Sequence, residues 1–327
     1  MPIKIWAYLV VFVVGGCSSS PSPAPVKGRV VVALTIDWEG AYLSPEGLDA
    51  LDELRQKFGQ APLTHFVSAA YFTKTTPDPT TVASITQAVR KGDELAVHLH
   101  AWRSLAKASE VEPKLSPSFL TGTNKLLEFE DGDVGFDTDL DAYSVPELRT
   151  LLRTSRRLLE QTHLPISKTF RAGGYLGTPK VLQAIREEGF TVDSSATDYR
   201  QLDEQINEVL PNRIKAIWPN VDTLTQPFQV PGTQLVEMPI AAFADYATAA
   251  EIVAIFEAAH VRLRKDPGRD VFVVLGFHLE TAADFAGRLD EAMQQLRARR
   301  ELVDGLLFAT IETAAERART TIASAPK

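Results

Sequence analysis

The chain has little cysteine, no cluster of basic residues and no internal repeat. Cys17 is the single cysteine among 327 residues, so no disulfide can form within the chain and the fold must rest on its core. The net charge is -8 and no basic cluster is present, which argues against a nucleic acid partner. The apolar run at the start is too short for a stable membrane-spanning helix. The remaining composition is ordinary for a globular protein of one large or two modest domains.

The first 28 residues are typical of a targeting segment followed by a linker. Lys4 precedes the apolar run Ile5–Val14, which ends just before Cys17 in a pattern that resembles the lipobox of bacterial lipoproteins. That resemblance predicts a signal peptide over 1–17, cut before Cys17, and acylation of this cysteine. Residues 18–28, rich in serine and proline, predict a disordered tether. We therefore expect a protein outside the cytoplasm, lipid-anchored to a bacterial membrane on its periplasmic or outer side; an uncleaved apolar anchor is the alternative.

Beyond the tether, extended and helical segments alternate, which predicts an α/β fold on a parallel sheet or barrel. Val30–Ile36 is apolar on both faces, as in a buried parallel strand. The other predicted strands are Leu63–Ala70, Leu95–Leu99, Lys168–Arg171, Phe190–Ser194, Val271–Phe277 and Leu306–Ala309. The predicted helices are Pro45–Phe58, Asp78–Arg90, Val145–Gln161, Pro179–Glu188, Thr248–Arg264, Ala282–Arg299 and Glu312–Arg319. We interpret 29–320 as a single domain.

A stretch of ~40 residues, 103–142, interrupts this alternation without a periodic pattern, and loops of that length are usually functional. It follows a histidine-rich strand end, so we expect it to form a lid or a wall of a substrate site. It carries several aspartates: Asp131, Asp133, Asp137, Asp139 and Asp141. Their spacing lacks the glycine and the terminal glutamate of an EF-hand, so a solvated acidic loop is favoured over a calcium site.

Two of the predicted strands end in pairs of chemically active side chains. Asp37 and Glu39 end the first strand at i, i+2 spacing, and His98 and His100 end the third in the same way. Residues two apart share a face of an extended strand, so the two pairs can meet at one edge of the sheet. Carboxylates and imidazoles together are ligands of hard-to-borderline divalent metal ions. The sequence therefore predicts a metal site at this edge.

Six segments resemble, in order, the motifs of polysaccharide deacetylases with a NodB-homology domain, a family of metal-dependent carbohydrate esterases. They are Thr35–Glu39, Thr64–Val67, Glu94–His98, Phe170–Tyr175, Asp193–Ser195 and Leu275–His278. The resemblance covers 29–320 and implies a distorted (β/α)7 barrel with its site at the carboxyl ends of the strands. In one departure from the family pattern, Trp102 stands four residues after His98, where a second histidine is common. His100 is the nearby substitute, and the third ligand stays open at this point.

The resemblance also implies roles for the residues at the strand ends. Glu39, His98 and His100 would bind Zn²⁺ or another divalent transition metal. Asp37 would remain free of the metal and act as general base. Arg171 would pair with Asp37, orient it and keep it ionised. A surface ion pair is the alternative for Arg171.

The resemblance implies further roles for residues in or near the last three motifs. His278 would be the general acid that protonates the leaving amine, because a lone polar residue at the end of such an apolar strand is not explained by packing. Glu280, two residues later, would hold the other ring nitrogen of His278, and Asp193 is the rival for that task. The backbone N–H of Tyr175 would help to hold the oxyanion.

Four residues are candidates for substrate contact. Gly173 and Gly174 would let the backbone approach the substrate closely. Trp38 and Trp102 flank the proposed ligands and could stack on a sugar ring, although packing in the core or at the rim fits them equally well. His65 lies within an apolar strand and is interpreted as a structural histidine.

The resemblance implies hydrolytic removal of N-acetyl groups from a cell-envelope or exported polysaccharide, leaving a free amine and acetate. The expected partners are the polysaccharide and, through the lipid anchor, the membrane; no protein partner is indicated. Two alternatives remain open. One is a hydrolase of a small non-sugar amide on the same barrel. The other is a catalytically inactive glycan-binding module, which Trp102 in the expected histidine position would suit.

Overall fold

The structure is a computed structural model that describes residues 27–59, 61–202, 208–303 and 305–323. The predicted signal peptide, Cys17 and most of the predicted tether lie outside the described residues, so the signal peptide, the acylation and the tether stay predictions. No helix in the described ranges is both long and apolar enough to cross a membrane.

Strands and helices alternate along the described chain, and the α/β fold class is confirmed. The strands are β1 Val30–Trp38, β2 Leu63–Ser68, β3 Glu94–Leu99, β4 Ile166–Ala172, β5 Val192–Asp193, β6 Phe228–Gln229, β7 Val236–Glu237, β8 Ala242–Phe243, β9 Val271–His278 and β10 Leu306–Phe308. The helices are α1 Pro45–Phe58, α2 Thr81–Ala88, α3 Arg103–Ala108, α4 Val145–Leu159, α5 Pro179–Glu187, α6 Val209–Ile217, α7 Ala249–Lys265, α8 Ala282–Phe285, α9 Gly287–Arg297, α10 Arg300–Val303 and α11 Ile311–Ala323.

The strands form a distorted barrel. β1 is parallel to β2 on one side and to β9 on the other, and β3, β4 and β5 continue in order beyond β2. The segment 236–243 closes the ring, because β7 at its start pairs with β5 and β8 at its end pairs with β9. Between them the N–H of Ile240 donates to the carbonyl of Ala196 over 2.8 Å. Counting that segment as one position gives the (β/α)7 arrangement, with β6 and β10 as additions on β7 and β1.

The strand register brings the predicted site residues to one end of the barrel. Asp37 lies beside His278 in the neighbouring strands β1 and β9. His98 lies beside Arg171 in β3 and β4. Because these strands are parallel, the four residues share the carboxyl end of the barrel, where active sites of such folds lie. β1 is buried along its whole length, since its alternate residues belong to two separate apolar clusters.

Local sequence explains where the longer helices begin. The Ser144 hydroxyl accepts from the N–H of Glu147, and the Glu147 carboxylate accepts from the N–H of Ser144. Pro146 occupies the first turn, where a proline is tolerated. The segment 282–299, predicted as one helix, is divided into α8 and α9 just before Gly287, a residue with low helix propensity.

The insert between β3 and α4 differs from its prediction. It opens with α3, and three of its five aspartates are buried. Asp137 accepts a hydrogen bond from the Ser118 hydroxyl, and Asp133 pairs with Lys74 at 3.1 Å. Asp139 caps the short helical turn that follows it. The solvated acidic loop is therefore wrong: the buried carboxylates hold the insert together by accepting its hydrogen bonds.

Candidate metal centre and its flanking ion pairs

Glu39, His98 and His100 converge at the carboxyl end of the barrel, and all three are buried. His100 Nε2 lies 2.6 Å from Glu39 Oε2, and His98 Nε2 lies 3.4 Å from Glu39 Oε1. The two Nε2 atoms lie 3.1 Å apart. A second group that could hold a cation shares Glu39 and adds Asp37 and His278. The ends of β1 and β3 thus meet as the sequence predicts.

Backbone carbonyls hold the outer nitrogens of both histidines. His98 Nδ1 donates to the carbonyl of Arg171 over 3.0 Å, and His100 Nδ1 donates to the carbonyl of Phe136 over 2.6 Å. These bonds place the proton of each neutral ring on Nδ1 and leave the Nε2 lone pair free. Two lone pairs and a carboxylate therefore face each other, and a divalent cation satisfies all three. Two imidazoles with one carboxylate are a donor set that fits Zn²⁺.

The electrostatics of this centre also favour a cation. Burial raises the pKa of Glu39, but His100 and His98 outweigh burial and hold that pKa well below its usual value. Burial lowers the pKa of His98, yet Glu39 and Asp37 reverse this and raise it overall. The carboxylate thus stays ionised. Because protons compete for the same nitrogen lone pairs, metal binding at this centre should weaken in acid.

Asp37 pairs with Arg171 beside the centre. Arg171 NH1 donates to Asp37 Oδ1 over 2.6 Å, and both side chains are buried. The same nitrogen donates to the Thr35 hydroxyl, while the rest of the guanidinium donates to the carbonyl and hydroxyl of Ser194. An arginine fixed by this many acceptors orients the carboxylate firmly. The predicted pairing is therefore present, and the surface ion pair is excluded.

His278 is held by Asp245, a residue that the sequence analysis did not identify. His278 Nδ1 donates to Asp245 Oδ1 over 3.0 Å, and the backbone N–H of His278 donates to Oδ2 over 3.2 Å. His278 Nε2 faces the centre, 3.5 Å from Glu39 Oε1 and 3.5 Å from the Tyr175 hydroxyl. Burial lowers the pKa of His278, but Asp245 more than reverses this and raises it to about 10. His278 thus carries an Nε2 proton at neutral pH.

The prediction that Glu280 or Asp193 holds His278 is wrong. β9 ends at His278 and a helical turn follows, so the i, i+2 spacing no longer places Glu280 on the same face. Glu280 instead accepts from the Tyr71 hydroxyl over 2.6 Å and from the N–H of Glu39 over 3.1 Å. Burial and the charge of Glu39 raise the pKa of Glu280 to about 7. Asp193 is buried against a neighbouring strand.

Asp245 has a weak signal in the sequence. It stands directly after the apolar run 240–244, much as the first acidic pair ends the first strand. Pro239 and the two-residue length of β8 hide that strand, because a proline lowers the expectation of a strand. A search for acidic residues after short apolar runs would have found it.

The turn after β4 lies against His100. A Cβ on Gly173 would come within 2.6 Å of the His100 ring, so the turn passes this ring only because Gly173 has no side chain. Gly174 and Tyr175 both have left-handed backbones, with φ of 60° and 64°. This conformation is rare for tyrosine, and a hydrogen bond of 3.1 Å from Trp218 Nε1 to the Tyr175 carbonyl helps to hold it.

Trp38 and Trp102 do not offer a face to a sugar, because both are 0% exposed. Trp38 packs with its ring centroid 5.8 Å from that of His65. Trp102 Nε1 donates to the carbonyl of Glu39 over 2.9 Å, and Lys74 Nζ lies 3.3 Å from the centroid of its ring. The stacking interpretation is wrong for both residues. Packing is right, and Trp102 supports the backbone of a proposed ligand.

His65 is structural, as interpreted from the sequence. It is 0% exposed, and its Nε2 lies 3.4 Å from Asp93 Oδ2 and 3.1 Å from Arg55 NH2. Asp93 also pairs with Arg55 and accepts from the N–H of Leu63 over 2.9 Å. Burial lowers the pKa of His65 although Asp93 opposes this. This buried cluster joins α1, β2 and the start of β3.

No family model matches the chain, and no curated protein sequence matches it. Solved structures do match. A candidate polysaccharide deacetylase from Mycobacterium smegmatis is 17% identical at a TM-score of 0.54, with 93% of this chain and 94% of that chain covered. Puue allantoinase is 14% identical at a TM-score of 0.52, with 98% and 100% covered. At these identities the likeness concerns the fold.

The fold and the site together define an α/β barrel with a candidate His–His–carboxylate metal centre between two buried ion pairs. On one side, Arg171 holds the Asp37 carboxylate in place. On the other, Asp245 holds the His278 ring in place. This arrangement suits a hydrolysis in which one group accepts a proton from water and another protonates the leaving atom.

Proposed function

We propose that this protein is a metal-dependent hydrolase that removes N-acetyl groups from a cell-envelope or exported polysaccharide. The observation that carries the proposal is the position of the Glu39, His98 and His100 centre between a held base and a held acid. Hydrolysis of an amide needs an activated water, a site for the developing oxyanion and a proton for the nitrogen. The motif resemblance supports an N-acetylated sugar as the substrate.

The residues of the chain supply the proton transfers. Asp37 takes a proton from the attacking water, while Arg171 keeps that carboxylate oriented. The backbone N–H of Tyr175 donates to the amide oxygen as negative charge develops there. His278 gives its Nε2 proton to the amide nitrogen, and Asp245 stabilises the imidazolium until that step. Glu39, His98 and His100 would hold zinc, which would polarise the carbonyl and lower the pKa of water.

A groove beside the centre supports a polymeric substrate. It measures about 680 Å³ and is lined by the loops after β1 and β2 and by acidic residues of the insert. Tyr42 in its lining is 58% exposed and offers a ring face to a sugar. Tyr71 also lines the groove and donates to Glu280, which accepts from the N–H of Glu39. The groove therefore lies one hydrogen-bonded layer from the candidate ligands.

A small non-sugar amide is the second candidate substrate. One of the two fold neighbours is named an allantoinase, and the same proton transfers would serve such an amide. The exposed ring of Tyr42 in the groove favours the polymer. The inactive module is disfavoured, because His100 Nε2 lies 2.6 Å from Glu39 and supplies the imidazole that Trp102 lacks.

The test measures zinc content and acetate release with the purified chain. We expect stoichiometric zinc and acetate release from N-acetylated oligosaccharides. His98→Ala and His100→Ala should lose both, whereas His163→Asn, a change at an exposed histidine, should keep both. Asp37→Asn should keep zinc and lose about 10²–10⁴-fold in rate. Zinc-loaded wild type that releases no acetate from any N-acetylated glycan would contradict the proposal, and turnover of a small amide instead would favour the second candidate.

A further inference from the structure

Asp193 and Glu237 form a carboxyl pair that the proposed reaction does not use. They lie side by side in the parallel strands β5 and β7, and both are 0% exposed. One oxygen of each is satisfied: Asp193 Oδ1 accepts from the Ser195 hydroxyl over 2.7 Å, and Glu237 Oε1 accepts from the N–H of Ala196 over 2.9 Å. The pair thus binds Ser195 and Ala196, two neighbouring residues of the short segment that follows β5.

The second oxygens of this pair have no donor. Asp193 Oδ2 and Glu237 Oε2 are buried, and neither finds a hydrogen-bond donor among the described residues. The two carboxyl groups are within hydrogen-bonding reach of each other, and Arg171 is the cation that acts on both. Two adjacent carboxylates in a dry interior cannot both stay ionised, and one proton between them removes the conflict. Burial and Asp193 accordingly raise the pKa of Glu237 well above its usual value.

The same segment after β5 also contacts Arg171, which pairs with the proposed base Asp37. The Ser195 hydroxyl, besides donating to Asp193, accepts from the N–H of Ala172 over 2.9 Å. Arg171 Nε donates to the Ser194 carbonyl over 2.8 Å, and Arg171 NH2 donates to the Ser194 hydroxyl over 2.9 Å. The guanidinium that pairs with Asp37 is therefore held by Ser194, the residue next to those that the carboxyl pair binds.

The same pair lies under the turn that carries Tyr175. A Cβ on Gly177 would stand 3.1 Å from Asp193 Oδ2 and 2.6 Å from the Trp218 ring. The N–H of Gly177 donates to the Tyr175 carbonyl over 3.0 Å, as Trp218 Nε1 does over 3.1 Å. The Asp193–Glu237 pair thus lies behind two parts of the proposed site. One is Arg171, which pairs with the base Asp37, and the other is the turn that carries the Tyr175 N–H.

We propose that Asp193 and Glu237 share a single proton and act as one positioning element for Arg171 and for the Tyr175 turn. The pair carries one negative charge, and its proton completes the hydrogen bonding of the oxygens that lack a donor. This inference rests on the proposed function for its catalytic consequence. The shared proton itself does not depend on any substrate.

The shared proton is tested with amide isosteres. In either Asp193→Asn or Glu237→Gln, one amide donor replaces the proton, so both single variants should fold with little loss of stability. The double variant places two amide donors face to face, and its urea midpoint should fall by more than the sum of the single losses. The infrared difference between wild type and Glu237→Gln should contain the C=O stretch of a buried protonated carboxyl. Additive midpoints, or no such band, would overturn the shared proton.

Positioning is tested by comparing Glu237→Leu with Glu237→Gln. Leucine leaves Asp193 Oδ2 and the N–H of Ala196 unpaired, so kcat should fall about 10²-fold, as when a reacting group is misplaced, while KM and zinc content hold. The emission of Trp218, isolated by difference with Trp218→Phe, should shift as well. Glu237→Gln should keep most of the wild-type kcat and most of the wild-type Trp218 emission.

The outcomes separate this inference from the proposed function. The positioning role would be overturned if folded Glu237→Leu kept the wild-type Trp218 emission and kcat. It would also be overturned if Glu237→Gln lost as much kcat as Glu237→Leu. If the wild type releases no acetate while the infrared band, the urea midpoints and the Trp218 emission behave as expected, the deacetylase proposal fails and the shared support stands.

Discussion

His278 shows how a single neighbour sets the proton affinity of a proposed catalytic group. Burial alone would lower the pKa of His278, yet contact with Asp245 raises it to about 10. A lone buried imidazole would lose its proton near or below neutrality and could not serve as an acid there. Asp245 is therefore as important to the proposed chemistry as the histidine that the motif marks.

We expect Asp245→Asn to lower kcat by about 10²-fold and to move the basic limb of the kcat/KM profile to lower pH. A general acid works only while protonated, so activity falls as pH rises through the pKa of His278. Removing the carboxylate lowers that pKa, and the fall then comes at lower pH. Zinc content should hold, and Asp284→Asn, at an exposed aspartate, should change nothing. An unmoved basic limb would mean that another group donates the proton.

Gly173 gives a test of the ligand set that removes no ligand. A Cβ there would stand 2.6 Å from ring atoms of His100, which is itself tied to the Phe136 carbonyl. Gly173→Ala should displace the ring and weaken zinc affinity by about 10–100-fold, measured by competition with a chelator. Gly287→Ala, with no atom within 4 Å of the added carbon, is the matched control. Full affinity in Gly173→Ala would remove His100 from the ligand set.

At the scale of elements, Asp93 links α1, β2 and β3. Burial raises its pKa, but His65 and Arg55 hold the pKa of Asp93 far below its usual value. A carboxyl whose pKa is lowered by folding stabilises the fold above the pKa of the unfolded chain, about 4. That stability is lost as pH falls from there towards the folded pKa.

We expect Asp93→Asn to lower the free energy of unfolding by about 3 kcal/mol near neutral pH, because a buried partner of Arg55 is removed. The difference from wild type should shrink once the pH falls below about 4. Asp52→Asn breaks an exposed pair with Arg90 and should cost less than about 1 kcal/mol. A difference between Asp93→Asn and wild type that is equal in neutral and acidic urea titrations would contradict this account.

Long elements with local signals were predictable, and elements made by distant pairing were not. α1 has the predicted bounds, since Ser44 and Pro45 mark its start and Gly59 its end. β6, β7 and β8 are two residues each, too short for a period-2 pattern, and they exist because other strands pair with them. The helix α6 was missed as well.

The same division applies to the site. The candidate ligands were predictable because their chemistry and i, i+2 spacing are local. The contact of Asp245 with His278 joins residues 33 positions apart, and no local pattern announces it. The burial of Trp102 depends on Phe129 of the insert, whose ring centroid lies 4.8 Å away. Such packing follows from how the insert folds, which its own sequence did not reveal.

At the scale of the whole molecule, the lipid anchor remains a prediction, because Cys17 lies outside the described residues. We expect Cys17→Ala to leave the membrane fraction, since the acylated residue is lost; Ser20→Ala, in the predicted tether, should stay there. Fractionation and the mass of the mature chain measure this. Membrane-bound Cys17→Ala that keeps its leader would establish the uncleaved anchor instead.

The direction of β1 determines which way an anchored enzyme would face. The chain enters the barrel at Val30 and reaches Asp37 near the far end of the strand, so the first strand residue and the candidate metal centre lie at opposite ends of β1. Residues 18–28 span at most about 40 Å when extended, and the strand adds about 30 Å. With lipid on Cys17, the catalytic mouth would look outward and work up to ~70 Å above the bilayer. If the protein is the anchored deacetylase proposed above, the length of its tether would determine which layer of the envelope it reaches.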